Sequence, residues 1–302
     1  MKPFLLNILC DPENAGGKLT YDQHEQKLYA KSGMYPVTKS GIPLMIRKDA
    51  LQQPKKSDIH DKQSSNFFYL DHYKKDAEIY DYFQKRTGAT LHAEKRTRQY
   101  IASKIPGNAK TLLDVGSGGA WVAQYFCRKG IQVVSLDVSL KNVEKALELY
   151  PGENHYGVVA DGYSLPFADH SFDCVIASEV VEHVPEPKKF LESLFRVVRP
   201  GGALIITTPY KEKLRYTLCI HCNKLTPFDA HLHSFDRKKL GSFLREKEVK
   251  NRVTVRYGNK ILIHLRTHLL LRFFPFWLWK ITDKLFNGIY GAYSNVLVKW
   301  EK

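Results

Sequence analysis

Apolar residues fall in short blocks along this chain, and the blocks end on acids or small residues. TLLDV (111–115) and IQVVSLD (131–137) are two such runs, the second closing on Asp137. HYGVVADGYSLPF (155–167) predicts a third strand that ends at Asp161-Gly162, FDCVIASEVVEHV (172–184) a fourth and GGALIITTP (201–209) a fifth. Helix-compatible sequence separates them. Strand-helix alternation of this kind predicts an α/β fold around a parallel sheet covered on both faces. RKKLGSFLREK (237–247) suits a further helix, NRVTVRYGNKI a sixth strand and SNVLVKW a closing strand.

After the first run the chain reads GSGGA before the helix-compatible AWVAQYFCRKG. Gly116 and Gly118 can take positive φ and have no Cβ to hold a ligand away from the backbone. Asp114 closes the strand, at the end where open α/β sheets bind nucleotides. A pyrophosphate site would read G-x-G-x-x-G. Here Trp121 stands at the third glycine position and an acid precedes the turn, which suits a cationic ligand better. Asp137 follows the glycines by about twenty residues, the spacing at which a carboxylate holds a ribose diol.

LDVGSGGA, LDVS, ADGYSLPF, FDCVIASEVVEHV and RPGGALIITTP resemble the successive motifs of class I S-adenosylmethionine-dependent methyltransferases. The resemblance covers about residues 90–258 and the strand near 294–300. It implies a Rossmann-like seven-stranded sheet with helices on both faces, and S-adenosylmethionine as cofactor. By position, Gly116, Ser117 and Gly118 would pass under the methionine moiety, with Asp114 near its amino group. Asp137 and Val138 would face the ribose and its surroundings, and Asp161 with Gly162 the adenine edge. Ser178 and Glu179, at the end of the fourth strand, complete the implied cofactor set.

Composition adds a strong charge asymmetry. Net charge is +15, and residues 211–302 hold 19 Lys/Arg against 7 Asp/Glu, or +12 of it. A polyanionic partner such as RNA or phospholipid headgroups fits that balance, as does a merely solvated basic face. The five cysteines are too scattered for a disulfide framework. MKPFLLNILC is too short for a signal h-region, and Leu9 before Cys10 is too large for lipoprotein cleavage. The expectation is a cytoplasmic protein, or one peripheral to the inner face of the membrane.

The first 46 residues read as a separate β-rich unit with two hairpin-like segments. They resemble the zinc-ribbon-like module that accompanies certain methyltransferases, but its four cysteine positions hold Asp11, Asn14, Tyr29 and Ser32. That set cannot bind zinc, so a metal-free module is expected. Residues 47–66 are polar and read as a linker, leaving 67–302 as the catalytic domain. Two helices follow the linker, and the resemblance implies that they lie over the cofactor. Tyr69, Tyr73 and Tyr80 are candidates to close the pocket, although core packing explains them equally well.

An insertion near 261–292 carries a dense Leu/Phe/Trp stretch at 269–279, flanked by Arg266, Arg272, Lys280 and Lys284. Pro275 and the internal charges exclude a spanning helix of ~20 apolar residues. One reading is an interfacial amphipathic helix beside anionic lipid. The other is a helix pair that caps the substrate pocket and buries its aromatics; the rule that apolar faces meet a core favours it.

For the chemistry, Glu179, Glu182 and His183 form an E-x-x-E-H pattern at the end of the fourth strand. It is similar to that of ubiquinone-pathway O-methyltransferases and small-RNA 2′-O-methyltransferases. There the acids and the histidine, with a later histidine, hold a divalent metal near the acceptor oxygen. His231 would be that later ligand, and Mg²⁺ or Zn²⁺ would suit the set. The alternative is metal-free, with His183 as general base and the glutamates orienting it. So short a signature favours the second. A rival zinc set is Cys219, Cys222 and His233, with His231 or His221 in reserve.

The reading is a methyltransferase that acts on a small-molecule or lipid-linked acceptor, more readily at oxygen. Its rivals are an RNA methyltransferase and a non-catalytic cofactor-binding partner subunit.

Overall fold

The computed structural model describes residues 1–14, 16–51, 68–220, 223–245 and 247–302. The chain opens with α1 (Pro3–Ile8), β1 (Thr20–Asp22), β2 (Lys27–Ala30) and β3 (Gly33–Pro36). Next come α2 (Tyr69–Ile79), α3 (Gly88–Ala102), β4 (Thr111–Val115), α4 (Trp121–Phe126), β5 (Gln132–Asp137) and α5 (Leu140–Leu149). They lead into β6 (His155–Val159), β7 (Phe172–Ser178), α6 (Pro187–Arg196) and β8 (Val198–Pro209). The last third holds β9 (Tyr216–Leu218), β10 (Leu225–Pro227), α7 (Arg237–Ser242), β11 (Asn251–Asn259), α8 (Lys260–His264), α9 (His268–Leu271), α10 (Phe276–Tyr290) and β12 (Tyr293–Glu301).

Seven strands form one mixed sheet in the order β11-β12-β8-β7-β4-β5-β6. The strands expected from the apolar runs are those of the sheet, and the doubly wound α/β class is met. Chain order reverses at β4, which pairs in parallel with β5 on one side and β7 on the other. Ligands bind at such a switch point, beyond the carboxyl ends of the strands. β12 runs antiparallel to both β8 and β11.

By internal contact the chain divides into two compact units. The first comprises residues 1–83, 108–176 and 192–202, and the second 84–107, 177–191 and 203–302.

In the first unit every residue of β4 and β6 is buried, as buried parallel strands require. Ser139 caps α5 by accepting the Asn142 N–H at 3.4 Å, which satisfies one orphan donor of the first turn. Ile42, Val143 and Val159 pack as one buried cluster, with Leu44, Ile46, Leu140 and Leu147 against it. The N-terminal segment therefore shares a core with α5 and β6. It also pairs with the sheet edge: the Met45 N–H reaches the Val159 carbonyl at 2.7 Å, and the Val159 N–H reaches Pro43 at 3.0 Å.

The expected β module is present as an antiparallel β1-β2-β3 sheet, and α1 precedes it, begun by Pro3 at its first turn. The resemblance to a zinc-ribbon-like module finds no support beyond this small sheet, but Asp11 and Ser32 meet at one side chain. The Tyr35 hydroxyl donates to Asp11 Oδ1 at 2.9 Å and lies 3.1 Å from Ser32 Oγ. Burial pushes the Asp11 carboxyl up, but hydrogen bonds from Ser32, the Glu13 N–H and Tyr35 outweigh it and leave it lowered. Tyr29 stands apart and exposed, its hydroxyl on Glu25. Most of the expected linker, 52–66, lies outside the described residues.

In the second unit, α10 is fixed by an inward face of Trp279, Asp283 and Asn287, which recur at i+4. Asn287 accepts from Asn259 Nδ2 at 3.0 Å, and Asp283 Oδ2 accepts the Gly258 N–H at 3.2 Å. Gly291, at φ +59°, ends the helix in the conformation glycine adopts without a Cβ penalty.

The expectation that the insertion buries its aromatics is overturned. Leu271 and Trp279 are buried, whereas Leu269, Leu270, Phe273 and Trp277 are exposed. The inward face of α10 is built on polar side chains, so its apolar face is left outward. Among the described residues no helix is long and apolar enough to cross a membrane.

Candidate active site

Asp114, Gly116, Ser117 and Gly118 lie where the sequence puts them, at the end of β4 and in the turn behind it. The turn is made by Gly116 at φ +66° and Gly118 at φ +44°, followed by Ala120 at φ +51° just before α4. Asp137 ends β5 and braces this turn: its Oδ2 accepts the Gly118 N–H at 3.0 Å and its Oδ1 the Ser139 N–H at 2.9 Å. Burial pushes the Asp137 carboxyl up, against the hydrogen bonds from Ser139, Gly118 and Asn142. Asp114 is buried, and Ser117 Oγ is buried with no hydrogen-bond partner among the described residues.

Val138 lines a groove of about 510 Å³ with Leu140 and Val159, and Leu44 and Ile46 of the N-terminal segment form another part of its wall. Lys48, Lys74, Glu78 and Lys141 also line the groove, which Val138 and Ser139 join to the end of β5. Carboxylates and an unsatisfied hydroxyl at the strand ends suit a molecule with an ammonium and a diol. S-adenosylmethionine is such a molecule.

Asp161, just after β6, accepts from the Tyr69 hydroxyl of α2 and from the Tyr163 N–H at 3.1 Å, with Gly162 between the two. Burial raises the Asp161 carboxyl despite the Tyr69 bond. A Cβ on Gly118 would come 3.2 Å from the Tyr82 ring, and one on Gly119 only 2.6 Å from the Tyr82 carbonyl. The segment after α2 therefore lies directly on the glycine turn. Tyr69 is at the site as expected; Tyr80 instead packs on Tyr82, ring centroids 4.9 Å apart. Tyr82 was not singled out from the sequence, where nothing separates it from its aromatic neighbours.

The second unit gathers acids and imidazoles. Glu179 follows Ser178, whose hydroxyl is 2.9 Å from that of Thr207. Glu179 takes φ +56°, a left-handed conformation that costs a side-chain-bearing residue roughly 1–2 kcal/mol and is held by its N–H to the Thr207 carbonyl at 3.0 Å. Such strain is concentrated at functional sites. Burial pushes the Glu179 carboxyl up to about 7, against hydrogen bonds from Thr207 and Asn295 and the charge of His231.

Glu182 is buried, and neither carboxylate oxygen makes a well-formed hydrogen bond among the described residues, although the Thr208 hydroxyl is close enough to favour its charged form. Burial, then repulsion from Glu179, raises it well above the ordinary range. The Leu232 N–H bonds the Glu182 carbonyl at 2.8 Å, which draws the following loop back to this turn. One donor atom each from Glu182, His183 and His231 lie within 4.8 Å of one another. The imidazoles are oriented from behind. His183 Nδ1 is 3.3 Å from the Ala230 carbonyl, and His231 Nδ1 is 2.5 Å from Glu212 Oε2. A carboxylate or carbonyl behind an imidazole fixes its tautomer and leaves Nε2 as the ligand nitrogen. Glu212, unseen in the sequence, has no spacing signal; the loop fold alone brings it to His231.

Of the four expected ligands three come together, and Glu179 stands outside the group. The rival zinc set is not assembled among the described residues. His233 Nε2 is tied to the Val184 carbonyl at 3.0 Å, and Cys219 sits in the β9-β10 hairpin with its N–H on Lys224. Cys222 and His221 lie outside the described residues. A buried carboxylate without a well-formed hydrogen bond, beside two oriented imidazoles, fits a divalent cation.

Residues 113–206 match the methyltransferase domain family. An uncharacterized methyltransferase of Mycobacterium sp. (strain JLS) is 31% identical over 162 residues, 54% of this chain and 56% of the relative. The mitochondrial ubiquinone biosynthesis O-methyltransferase of Mus musculus is 34% identical over 128 residues, 39% of this chain and 35% of the relative. A Listeria monocytogenes chain, provisionally assigned as an S-adenosylmethionine dependent methyltransferase, superposes with a TM-score of 0.52 at 10% identity. It covers 69% of this chain and 99% of its own, and shares the fold. The chain spans about half the length of the mycobacterial relative. Residues 113–206, which carry the family match, lie in a sheet of Rossmann-like architecture.

Proposed function

We propose that this chain is an S-adenosylmethionine-dependent methyltransferase that acts at an oxygen of a small or lipid-linked acceptor. The observation that carries the oxygen assignment is Glu182, whose two buried oxygens make no well-formed hydrogen bond among the described residues and stand beside His183 and His231. A hydroxyl is a poor nucleophile until it loses its proton, and buried acids with imidazoles are the groups that take it. The similarity to a ubiquinone biosynthesis O-methyltransferase supports the same reading.

Asp114, Ser117 and Asp137 would orient the donor's ammonium and ribose, and Val138, Asp161 and Gly162 its adenosine. Transfer is an in-line displacement: the acceptor oxygen bonds the methyl carbon as the carbon–sulfur bond breaks, and alignment supplies most of the rate. A divalent cation held by Glu182, His183 and His231 would lower the pKa of the acceptor hydroxyl. Glu212 and the Ala230 carbonyl keep both imidazoles in the right tautomer, and Glu179 places its charge beside Glu182. The first 46 residues serve as a metal-free β module whose Leu44 and Ile46 line the groove next to Val138.

Two measurements test this. Calorimetric titration of EDTA-treated protein with Mg²⁺, Mn²⁺ and Zn²⁺ should give binding that Glu182→Gln removes, with affinity for S-adenosylhomocysteine unchanged. Incubation of cell extract with methyl-labelled donor should place the label in small or lipid-extractable products; label confined to RNA or protein overturns the acceptor class.

A further inference from the structure

Helix α10 is amphipathic in the inverse sense. Its buried positions are Trp279, Asp283 and Asn287, while Trp277 (61% exposed), Ile281 (50%), Leu285 (65%) and Ile289 (73%) face outward. At about 100° per residue these four span an arc of ~120°, with Lys280 and Lys284 along one edge of it. Ahead of the helix, Leu265, Leu269, Leu270 and Phe273 are each more than half exposed. Scattered exposed apolar residues need no explanation, but four along one face of a helix form the kind of surface that marks an interaction site.

Charge identifies the occupant. Between Glu248 and Glu301 the sequence has one acid, Asp283, which is buried, and nine Lys/Arg. Arg266, Arg272, Lys280 and Lys284 are exposed, and among the described residues none of them forms an ion pair with a carboxylate. Arg272 lies 4.7 Å from the Phe273 ring and Lys280 4.9 Å from Phe276, so cationic heads stand directly beside the apolar surface. A second copy of this chain would set this basic rim against itself, and like charges oppose that pairing. Single-stranded nucleic acid rewards stacked aromatics and basic grooves; exposed aliphatics such as Leu265, Leu270, Leu285 and Ile289 gain nothing from it. Aliphatic and aromatic side chains bordered by cations match the boundary of a bilayer with anionic headgroups.

We propose that α8, α9 and α10 form a docking surface on which the protein lies in the interface of an anionic membrane, with Trp277, Ile281 and Leu285 in the acyl region and Lys280 and Lys284 at the headgroups. This stands independently of methyl transfer.

Flotation with vesicles of phosphatidylcholine containing about a third phosphatidylglycerol tests it. The full chain should bind these vesicles at low salt, bind pure phosphatidylcholine far less, and be released by high salt. Trp277→Ser/Ile281→Ser/Leu285→Ser should abolish binding. Lys280→Gln/Lys284→Gln touches no buried side chain and should weaken it about 30-fold. Brominated acyl chains should quench tryptophan emission in the wild type, and Trp277→Phe should remove most of that quenching. Wild-type protein that stays off anionic vesicles at low salt overturns the proposal. So does a concentration-dependent oligomer that the triple variant dissolves, which would make the surface a self-interface, and so does retention by RNA that outcompetes the vesicles.

Discussion

Asp137→Asn probes the reading of the first unit most directly. Asp137 is 8% exposed and holds two backbone donors, Ser139 N–H on Oδ1 and Gly118 N–H on Oδ2. Asparagine replaces one of these acceptors with a donor, so an amide N–H must face a backbone N–H whichever way it turns. A hydrogen bond to a charged group is worth about 1.5–3 kcal/mol, and relief of the buried charge returns part of that. Stability should therefore fall by about 1–2 kcal/mol, or roughly 2–4 °C in Tm. A ribose diol that loses its charged acceptor forfeits a further ~1.5–3 kcal/mol, about a 10- to 150-fold weaker Kd. Calorimetry with S-adenosylhomocysteine reads the affinity and a thermal melt reads the stability. Ser139→Ala is the control: it removes the cap of α5 at a cost of ~1 kcal/mol and leaves the carboxylate in place. Asp137→Asn affinity within about twofold of wild type would refute the assignment, as would an equal loss in Ser139→Ala.

Asp283 should make stability fall with pH. Burial raises its carboxyl from 3.8 to about 7, so the fold prefers the protonated form. That preference is complete below pH ~4, is lost progressively as pH climbs to 7 and levels off above it, with ~3 kcal/mol of the loss falling between pH 5 and 8. Urea midpoints from pH 5 to 8 should flatten in Asp283→Asn, and parallel curves would count against the shift. Gly157→Ala would place a Cβ 2.4 Å from Val143 Cγ1 and 3.1 Å from Leu147 Cδ1. It should cost about 1–3 kcal/mol in chemical denaturation, and Val143→Ala in the same chain should restore part of it.

The parallel strands were legible because β4 to β7 are short, mostly apolar runs with an acid at or just beyond their ends, and buried parallel strands admit few other sequences. The turn at 116–118 was legible for a related reason: only glycine takes positive φ without strain. Three features were not. Tyr82 covers Gly118 through a chain path that no periodicity encodes. Glu212 reaches His231 only because the loop at 231–233 bonds back to Glu182. The face of α10 was misjudged because Trp279, Asp283 and Asn287 recur at the same i+4 spacing as Trp277, Ile281 and Leu285. Periodicity gives a helix two candidate faces, and here partners for Asp283 and Asn287 at Gly258 and Asn259 decided which turned inward.

The knot of Asp11, Ser32 and Tyr35 has a consequence for how this protein responds to chelators. Where a metal-bound module must capture an ion before its loops close, Tyr35 joins Asp11 and Ser32 through hydrogen bonds of the chain itself. Those bonds need no ion to form, so chelation should leave them intact. Any loss of structure there on chelation would have to begin elsewhere.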